Sequence, residues 1–595
     1  MDQVNIAIIG LGPAGLTALK NLRGEGFNVV AFERRHKVGG LWSLSNDTMF
    51  TSALDETVCN ISKFVSSFSD FPLPRDSPTF LTSSEVAAYF DAYASHFNLY
   101  QHVCFGTTVK KVTRNSSDDG WDVYITNSDG DSIMPFDKVV FSTGSQTIPS
   151  WPPMPSRDKF KGIVMHSQAY RSPGIFKDKK VLVVGIGNTA CELSLSLHSH
   201  ASKIYQGYRR GRMLVSRYQD DGLPVDSTIP WPALRLKYLI DHKLPWLINP
   251  LVDKFMIHKM INDAARSEPS ASNISRGERL KLAERRVRED WRLVPCPSLA
   301  HVHPAVQEDF IPALVRGDIT SVQGFQDFAG ENQVLLTDNT VIEADAVIFC
   351  TGYDFDFSIL PELEIDGACG PALKTAAEAY GPSQDPSYQT KDEEPHIPRL
   401  YQMLFPPRWA SSVAFLSWAA PLETVWCVTE LASMAIAQIW AGETARSIGL
   451  LQPHPPAKYR LPALLPSLDD MNAQVDAYHA WWRGEWKKDH SMRTGYVQSY
   501  PFYRFLHDAA GTGLYEHLDH IFTTHGWGLW WKDRELWTWL AKGPMNNLSW
   551  CLFETNPLGI AGCGRKTWPG ARKAVQEVYE DYEYLKGQVQ KSKTK

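Results

Sequence analysis

The chain has 595 residues, 43% hydrophobic and 21% charged, with a formal net charge of −6. These are the values of an ordinary globular protein, and they exclude a disordered, coiled-coil or collagen-like chain. The mild negative charge gives no footprint for nucleic acid, and the length holds about four domains' worth of material.

The N-terminus, MDQVNIAIIGLGPAG, runs straight into a strand with no basic leader, so it is not read as a signal peptide. Residues Asn5–Glu33 read as an apolar strand, a glycine turn, a helix and a second strand, VVAFE. A helix is expected over Ser83–Phe97, with Thr82 and Glu85 spaced as a capping box. Phe136–Gly144 reads as a buried strand entering a turn, and Pro149, Pro152, Pro153 and Pro155 as a stiff connector between domains. Lys180–Arg210 repeats the first pattern: VLVVG, then GIGNTA, a helix and a strand, KIYQGY. Leu223–Val294 reads as a helical insertion, with Ile229–Leu251 too interrupted by charge and proline to span a membrane as one helix. That stretch either packs on the second unit or forms an exposed apolar patch near a substrate entrance, where weak peripheral membrane contact stays open. Val322–Tyr353 gives a hairpin and a buried strand. The most apolar run, Val413–Trp440, is interrupted by Glu423 and Glu430, and no transmembrane segment is expected.

Ten of the twenty tryptophans lie beyond residue 480, among them Trp481, Trp482, Trp530, Trp531, Trp537 and Trp539. They read first as a packing layer. In the sharper alternative some of them wall an apolar substrate pocket. The C-terminal KGQVQKSKTK reads as a solvated tail. Nine cysteines (59, 104, 191, 296, 350, 369, 427, 551 and 563) contain no CxxC pair. This argues against a disulfide framework or a metal site and for a reducing, cytoplasmic setting.

The expected fold is therefore α/β, with two Rossmann-type dinucleotide-binding units. The first site is Gly10-x-Gly12-x-x-Gly15, with Pro13 and Ala14 opening its helix. Glu33 closes the next strand, placed to accept ribose hydroxyls. The second site is Gly185-x-Gly187-x-x-Ala190, with Asn188 and Thr189 at the start of its helix, placed to cap it or touch a pyrophosphate. Here Tyr208 stands where the acid would be, and Arg209 and Arg210 follow, a pattern that selects the 2′-phosphate of NADPH. FAD is then the economical choice for the first site.

Between the turns, Phe160-x-Gly162-x-x-x-His166-x-x-x-Tyr170 resembles the identifying sequence of the class B flavin-containing monooxygenases. Gly39-Gly40-Leu41-Trp42, Val58–Pro72, Leu404–Pro407 and Thr351-Gly352-Tyr353 add to the resemblance, which covers about residues 4–445. It implies an NADPH domain inserted into an FAD domain. The divisions are 1–155 and 331–440 for the FAD domain, 156–330 for the NADPH domain with its insertion at 223–294, and 441–595 for a C-terminal extension. It also implies that NADPH reduces FAD and that the flavin forms a C4a-(hydro)peroxide with O2. One oxygen atom then passes to a soft nucleophile, an amine or sulfur compound, with N-hydroxylation or N-oxidation of a natural-product intermediate as first choice. Asn60 matches the family asparagine near the flavin and the nicotinamide. Gly40, Leu41 and Trp42, Val109 at the adenine, and Thr351 with Gly352 match cofactor-binding positions, while His166 is read as organising the interdomain turn. Tyr170 stands where Baeyer–Villiger enzymes usually carry Trp, so oxygenation of a ketone to an ester is the runner-up, followed by a non-catalytic flavoprotein. A disulfide reductase lacks its cysteine pair here, and a class A hydroxylase would lack the second turn. The sequence leaves a homodimer open.

Overall fold

Short apolar strands feeding glycine turns dictate the architecture. The structure, a computed structural model, describes residues 3–269, 274–364, 397–450, 460–518 and 524–594; Cys369 lies outside them. Strand β1 (Asn5–Ile9) leads through helix α1 (Pro13–Gly24) to β2 (Asn28–Glu33), paired in parallel with β1. Helix α2 (Ser83–His96) carries the expected capping box, with Thr82 and Glu85 each bonding the other's backbone N–H. Strand β3 (Val103–Phe105) joins β2, and β4 (Thr108–Arg114), β5 (Trp121–Asn127) and β6 (Gly130–Phe136) form an antiparallel meander. Strand β7 (Lys138–Phe141) returns to the other side of β1.

Strand β8 (Ile148–Pro149) ends the first passage, within the proline-rich stretch expected to be a connector. Next come β9 (Ile163–His166), β10 (Lys180–Val184), α3 (Asn188–Leu197), β11 (Lys203–Tyr208) and the two-residue β12 (Leu214–Val215). The insertion is helical as expected: α4 (Trp231–Lys243), α5 (Pro245–Ser267) and α6 (Arg276–Arg285), the last running into a π-helical turn at Arg286–Asp290. Its prolines do less breaking than the sequence suggests. Pro232 and Pro245 take first-turn places, where the missing N–H is no loss, and Pro250 is accommodated inside α5. Strand β13 (Ala305–Val306), helix α7 (Phe310–Arg316), β14 (Thr320–Gln323), the three-stranded β15–β17 (Phe325–Gly330, Gln333–Leu336, Val341–Glu343) and β18 (Ala346–Phe349) follow. Strand β19 (Tyr353–Asp354) pairs with β8, so the chain's two passages between the sheets lie side by side.

Two parallel five-stranded sheets result. With β20 (Val413–Phe415), the first has the order β20-β7-β1-β2-β3, and the second β14-β11-β10-β18-β9. Ile6, Ala7, Ile8, Val181, Leu182 and Val183 are fully buried, as strands covered on both faces must be. The boundary expected at 330 differs from the pairing. Strand β18 sits between β10 and β9, and the chain rejoins the first sheet only at β20. An apolar four-residue run carries no mark of the sheet it will join, so the sequence could not place this division.

Helix α8 (Val425–Ser447) is the one helix among the described residues long and apolar enough to cross a membrane. It lies almost wholly inside the protein, packed on α1 and on α10, so it is a core helix. The rest of the chain adds α9 (Leu468–Lys488), α10 (Ser499–Ala510), α11 (Leu514–Leu518), α12 (Thr524–Lys532), α13 (Arg534–Lys542) and α14 (Ala571–Thr594). The C-terminal stretch read as a tail is therefore the end of a helix.

Candidate functional site

The first glycine turn is built by packing. Gly10 has φ +92°, and a Cβ there would stand 2.7 Å from the Ser142 carbonyl oxygen; one on Gly15 would stand 2.0 Å from that of Gly10. Gly12 is different. Its φ is −66°, and the nearest atom to an added Cβ is Gly40 Cα at 3.7 Å. The protein itself does not require glycine there; Gly12 packs on Gly40, and both line a cavity. No side chain caps α1, leaving its first N–H groups free for a phosphate. The Glu33 carboxylate is buried, accepting from Leu11 N (2.7 Å) and Arg35 N (2.9 Å), and its remaining lone pairs suit ribose hydroxyls. Gly10, Gly12, Pro13, Ala14, Glu33, Gly40, Leu41, Trp42 and Val109 all line one cavity of about 1840 Å³. The fold thus gathers nine of the expected positions around one cavity.

The second turn repeats this geometry. Gly185 has φ +127°, and its Cβ would meet the Cys350 carbonyl oxygen at 2.6 Å, while Gly187 faces open space. Helix α3 also starts without a side-chain cap. Asn188 and Thr189 therefore do not cap it; the Asn188 Oδ1 accepts instead from Val306 N (2.7 Å) on β13. Tyr208 is buried and donates to the Trp291 carbonyl. The two arginines diverge. Both are exposed, but Arg210 is tied to Asp489 (2.8 and 3.2 Å) and Ser491 (3.0 Å) of the C-terminal extension, whereas Arg209 has no ion pair among the described residues.

Thr351 and Gly352 stand at the crossing and do not line the cavity: Thr351 Oγ1 donates to Ser150 O (2.5 Å), and Gly352 O accepts from Ser150 N (3.0 Å). His166 also belongs to the crossing. Its Nδ1 accepts from Gln168 N (3.2 Å), and its ring packs on Trp151 and Tyr353, one from each passage. Burial pushes its pKa down to about 4, so the ring is neutral.

Asn60 lines the same cavity as the first turn, and its Oδ1 accepts from Arg217 (3.1 Å). The neighbouring Cys59 thiol is pushed up to about 12 by burial, so it stays protonated and supplies no redox chemistry. The same cavity is lined by the aromatic rings of Trp231, Tyr238, Trp418, Trp426, Tyr503 and Trp550. Trp42 meets Trp426 edge-on at 5.5 Å, both in its wall. Of the ten tryptophans beyond residue 480, one is in this wall. Trp482 is fully buried in the core and Trp531 is 75% exposed; of the C-terminal tryptophans, Trp550 reaches the cavity. Glu423 also lines it, accepting from Tyr503, and burial pushes its carboxyl up.

Three contributors went unread in the sequence. Arg35 donates to Gly40 O (2.8 Å), Ser43 O (2.9 Å) and Thr51 O (2.7 Å), which holds the loop that faces Gly12. Its position two residues after the acid was a usable signal. His303 lines the cavity with a pKa pushed down to about 3 by burial beside Arg493 and Arg212, so it too is neutral. Arg217 carried no local signal at all. In the stretch Ile229–Leu251, Trp231, Leu234 and Tyr238 pack into the core while Leu236, Trp246 and Leu251 are exposed; Phe255, one turn beyond it on α5, is exposed and lines the cavity.

Known proteins share this design. The flavin-binding monooxygenase-like family model matches residues 3–366. Monooxygenase aurF of Gibberella zeae is 30% identical over 585 residues, 98% of this chain and 99% of its own. The structure of S-allyl-L-cysteine S-oxygenase from Allium sativum aligns over 85% of this chain and 88% of its own, at 19% identity and a TM-score of 0.54. The open structure of cyclohexanone monooxygenase aligns over 85% and 97%, at 15% identity and a TM-score of 0.55. The chain therefore belongs to the flavin-binding monooxygenase-like family, the flavin-dependent monooxygenases that work with FAD and NADPH.

Proposed function

We propose that the protein oxygenates a soft nucleophile, an amine nitrogen or a sulfur, in a natural-product intermediate. The observation that carries this reading is the single cavity. It is lined at once by the first glycine turn, by Asn60 and by the rings of Trp231, Tyr238, Trp418, Trp426, Tyr503 and Trp550, a wall that suits a hydrophobic substrate. When bound, FAD reduced by NADPH activates O2, giving one oxygen atom to the substrate and the other to water. The chain's own tasks are then binding, orientation and exclusion of water. In this reading Gly12, Pro13, Ala14 and the α1 N–H groups hold the FAD pyrophosphate, Glu33 its ribose, and Gly40, Leu41 and Trp42 close over it, with Val109 beside the adenine. Gly185, Gly187 and Arg209 hold NADPH. Asn60 places an amide, polar but uncharged, where oxygen is transferred.

Cys59 stays a protonated thiol, so it offers no thiolate that would divert the reaction. The test uses the purified FAD-loaded protein with NADPH, O2 and two probes, methyl phenyl sulfide and phenylacetone, followed by mass spectrometry. Sulfoxide formed in step with NADPH consumption is expected. Ester from the ketone with no sulfoxide would overturn the reading in favour of Baeyer–Villiger chemistry.

A further inference from the structure

The segment carrying Asn60 lies between β2 and α2 and is bonded to its own unit, with Cys59 N donating to Leu81 O (2.8 Å) and Leu54 N to Thr57 Oγ1 (3.0 Å), yet it also takes side-chain ties from the second unit. Thr57 donates to Glu192 on α3. Asp226 accepts from both the backbone N–H (2.6 Å) and the hydroxyl (2.7 Å) of Ser62. Between these, Arg217 reaches across. Its Nε donates to Cys59 O (2.9 Å), and its Nη2 to Val58 O (3.1 Å) and to Asn60 Oδ1 (3.1 Å). The other edge of the same guanidinium is forked onto Glu308, at 2.8 and 2.9 Å.

This fork is set by strand register. β12 and β13 pair in parallel with Val215 opposite Val306, so Arg217 and Glu308, each two residues further on, arrive side by side. β13 is in turn bonded at Val306 N to Asn188, at the mouth of the second glycine turn. A continuous chain therefore runs from the second cofactor turn to Asn60. Arg217 is 8% exposed, and a planar five-donor guanidinium can grip two carbonyls, an amide oxygen and a carboxylate at once, which an ammonium cannot. An asparagine amide offers one acceptor oxygen and two donor hydrogens. With the oxygen held by Arg217, the Nδ2 group is what remains for the cavity that Asn60 lines.

We propose that Arg217, braced by Glu308, is a positioning residue that fixes Asn60 as a hydrogen-bond donor and registers it to the NADPH-side unit. This rests on the cavity being the oxygenation site. Arg217→Lys keeps the charge and loses the fork; Glu308→Gln, should the lysine variant not fold, releases the same fork from its other side.

The measurements are H2O2 released per NADPH consumed with methyl phenyl sulfide as probe, and amide hydrogen exchange of residues 57–62 in the NADPH-free protein. Arg217→Lys should retain FAD, raise the H2O2 fraction at least fivefold and speed exchange across 57–62. Adding it to Asn60→Ala should leave the product formed per NADPH where Asn60→Ala alone puts it, because both changes remove one interaction. A product yield lowered severalfold further in the double variant, or an H2O2 fraction unchanged in Arg217→Lys, would overturn the proposal and leave Arg217 as ordinary packing. Unchanged exchange at 57–62 would overturn it as well. A wild-type protein that consumes NADPH without forming sulfoxide would instead count against the oxygenation reading, and the exchange measurement would still decide whether the clamp exists.

Discussion

The two glycine turns are near copies in geometry and opposites in chemistry. In each, the first glycine is left-handed and lies against a carbonyl from a neighbouring strand end, Ser142 in one and Cys350 in the other. In each, the second glycine has an ordinary φ and room for a Cβ, Gly12 in ordinary contact with Gly40 and Gly187 facing open space, and the following helix begins uncapped. The copies part at the end of the second strand. The first ends in a buried carboxylate, Glu33, and the second in a buried phenol, Tyr208, followed by the open guanidinium of Arg209. The turn's shape is thus fixed by protein packing, and the two units come to differ in charge one strand later.

That division separates two kinds of glycine, and substitution should separate them too. Gly10→Ala and Gly185→Ala each force a side chain into a left-handed backbone, at a cost of about 1–3 kcal/mol, and drive a methyl group into a carbonyl oxygen. Both variants should fall sharply in soluble yield and melting temperature. Gly12→Ala and Gly187→Ala should keep their melting temperature in the cofactor-free protein and fail selectively. The first should come out colourless, and the second yellow with a raised KM for NADPH. A yellow Gly12→Ala protein with full FAD content would remove the first turn from flavin binding.

The sequence was legible where the physics is local. The capping box of α2 needs two residues three apart, and the glycine turns need a spacing and a flanking strand. Non-local pairing was not legible. Nothing in Ala346–Phe349 says that it will sit beside Lys180–Val184, and nothing in SRYQDDG says that Arg217 will meet Glu308, since that meeting depends on the register of two dipeptide strands some ninety residues apart. The tryptophans show the same limit. Clustering along the chain drew attention to the ten tryptophans beyond residue 480, but of these Trp550 lines the cavity, which draws Trp231, Trp418 and Trp426 from other parts of the chain.

Asn60→Ala removes the amide while leaving its supports, and product formed per NADPH should drop roughly tenfold, with the lost oxygen recovered as H2O2. One charge-neutral hydrogen bond in a water-excluded site is worth about 1–1.5 kcal/mol, which sets that scale. An unchanged product yield would take Asn60 out of oxygen transfer. On the NADPH side, Arg209→Ala loses a charge-assisted contact worth about 1.5–3 kcal/mol. Its exposure places it at the low end, so KM for NADPH should rise about tenfold while KM for NADH stays nearly unchanged. Equal rises for both coenzymes would mean that Arg209 does not read the 2′-phosphate.

The smallest effect is expected at Arg210, and there the copy and the original can be set against each other most finely. Its guanidinium is half exposed and already paired with Asp489, whose carboxyl is raised by burial but held below its usual range on balance by hydrogen bonds from Arg210 and Ser491. An exposed pair of this kind contributes about 0–1 kcal/mol, so Arg210→Ala should change the melting temperature little and KM for NADPH by less than threefold. Because the folded carboxyl titrates below its unfolded value, whatever stability the pair adds is present at neutral pH and lost as the pH falls through the folded pKa. The melting-temperature difference between wild type and Arg210→Ala should therefore close in acid. Asp489→Asn sharpens the comparison: it frees the guanidinium without moving the chain, and KM for NADPH should fall about two- to threefold as a second cation becomes available to the phosphate. A rise in KM on Asp489→Asn would show the opposite, that the pair with Asp489 is what holds the C-terminal extension in place beside the coenzyme.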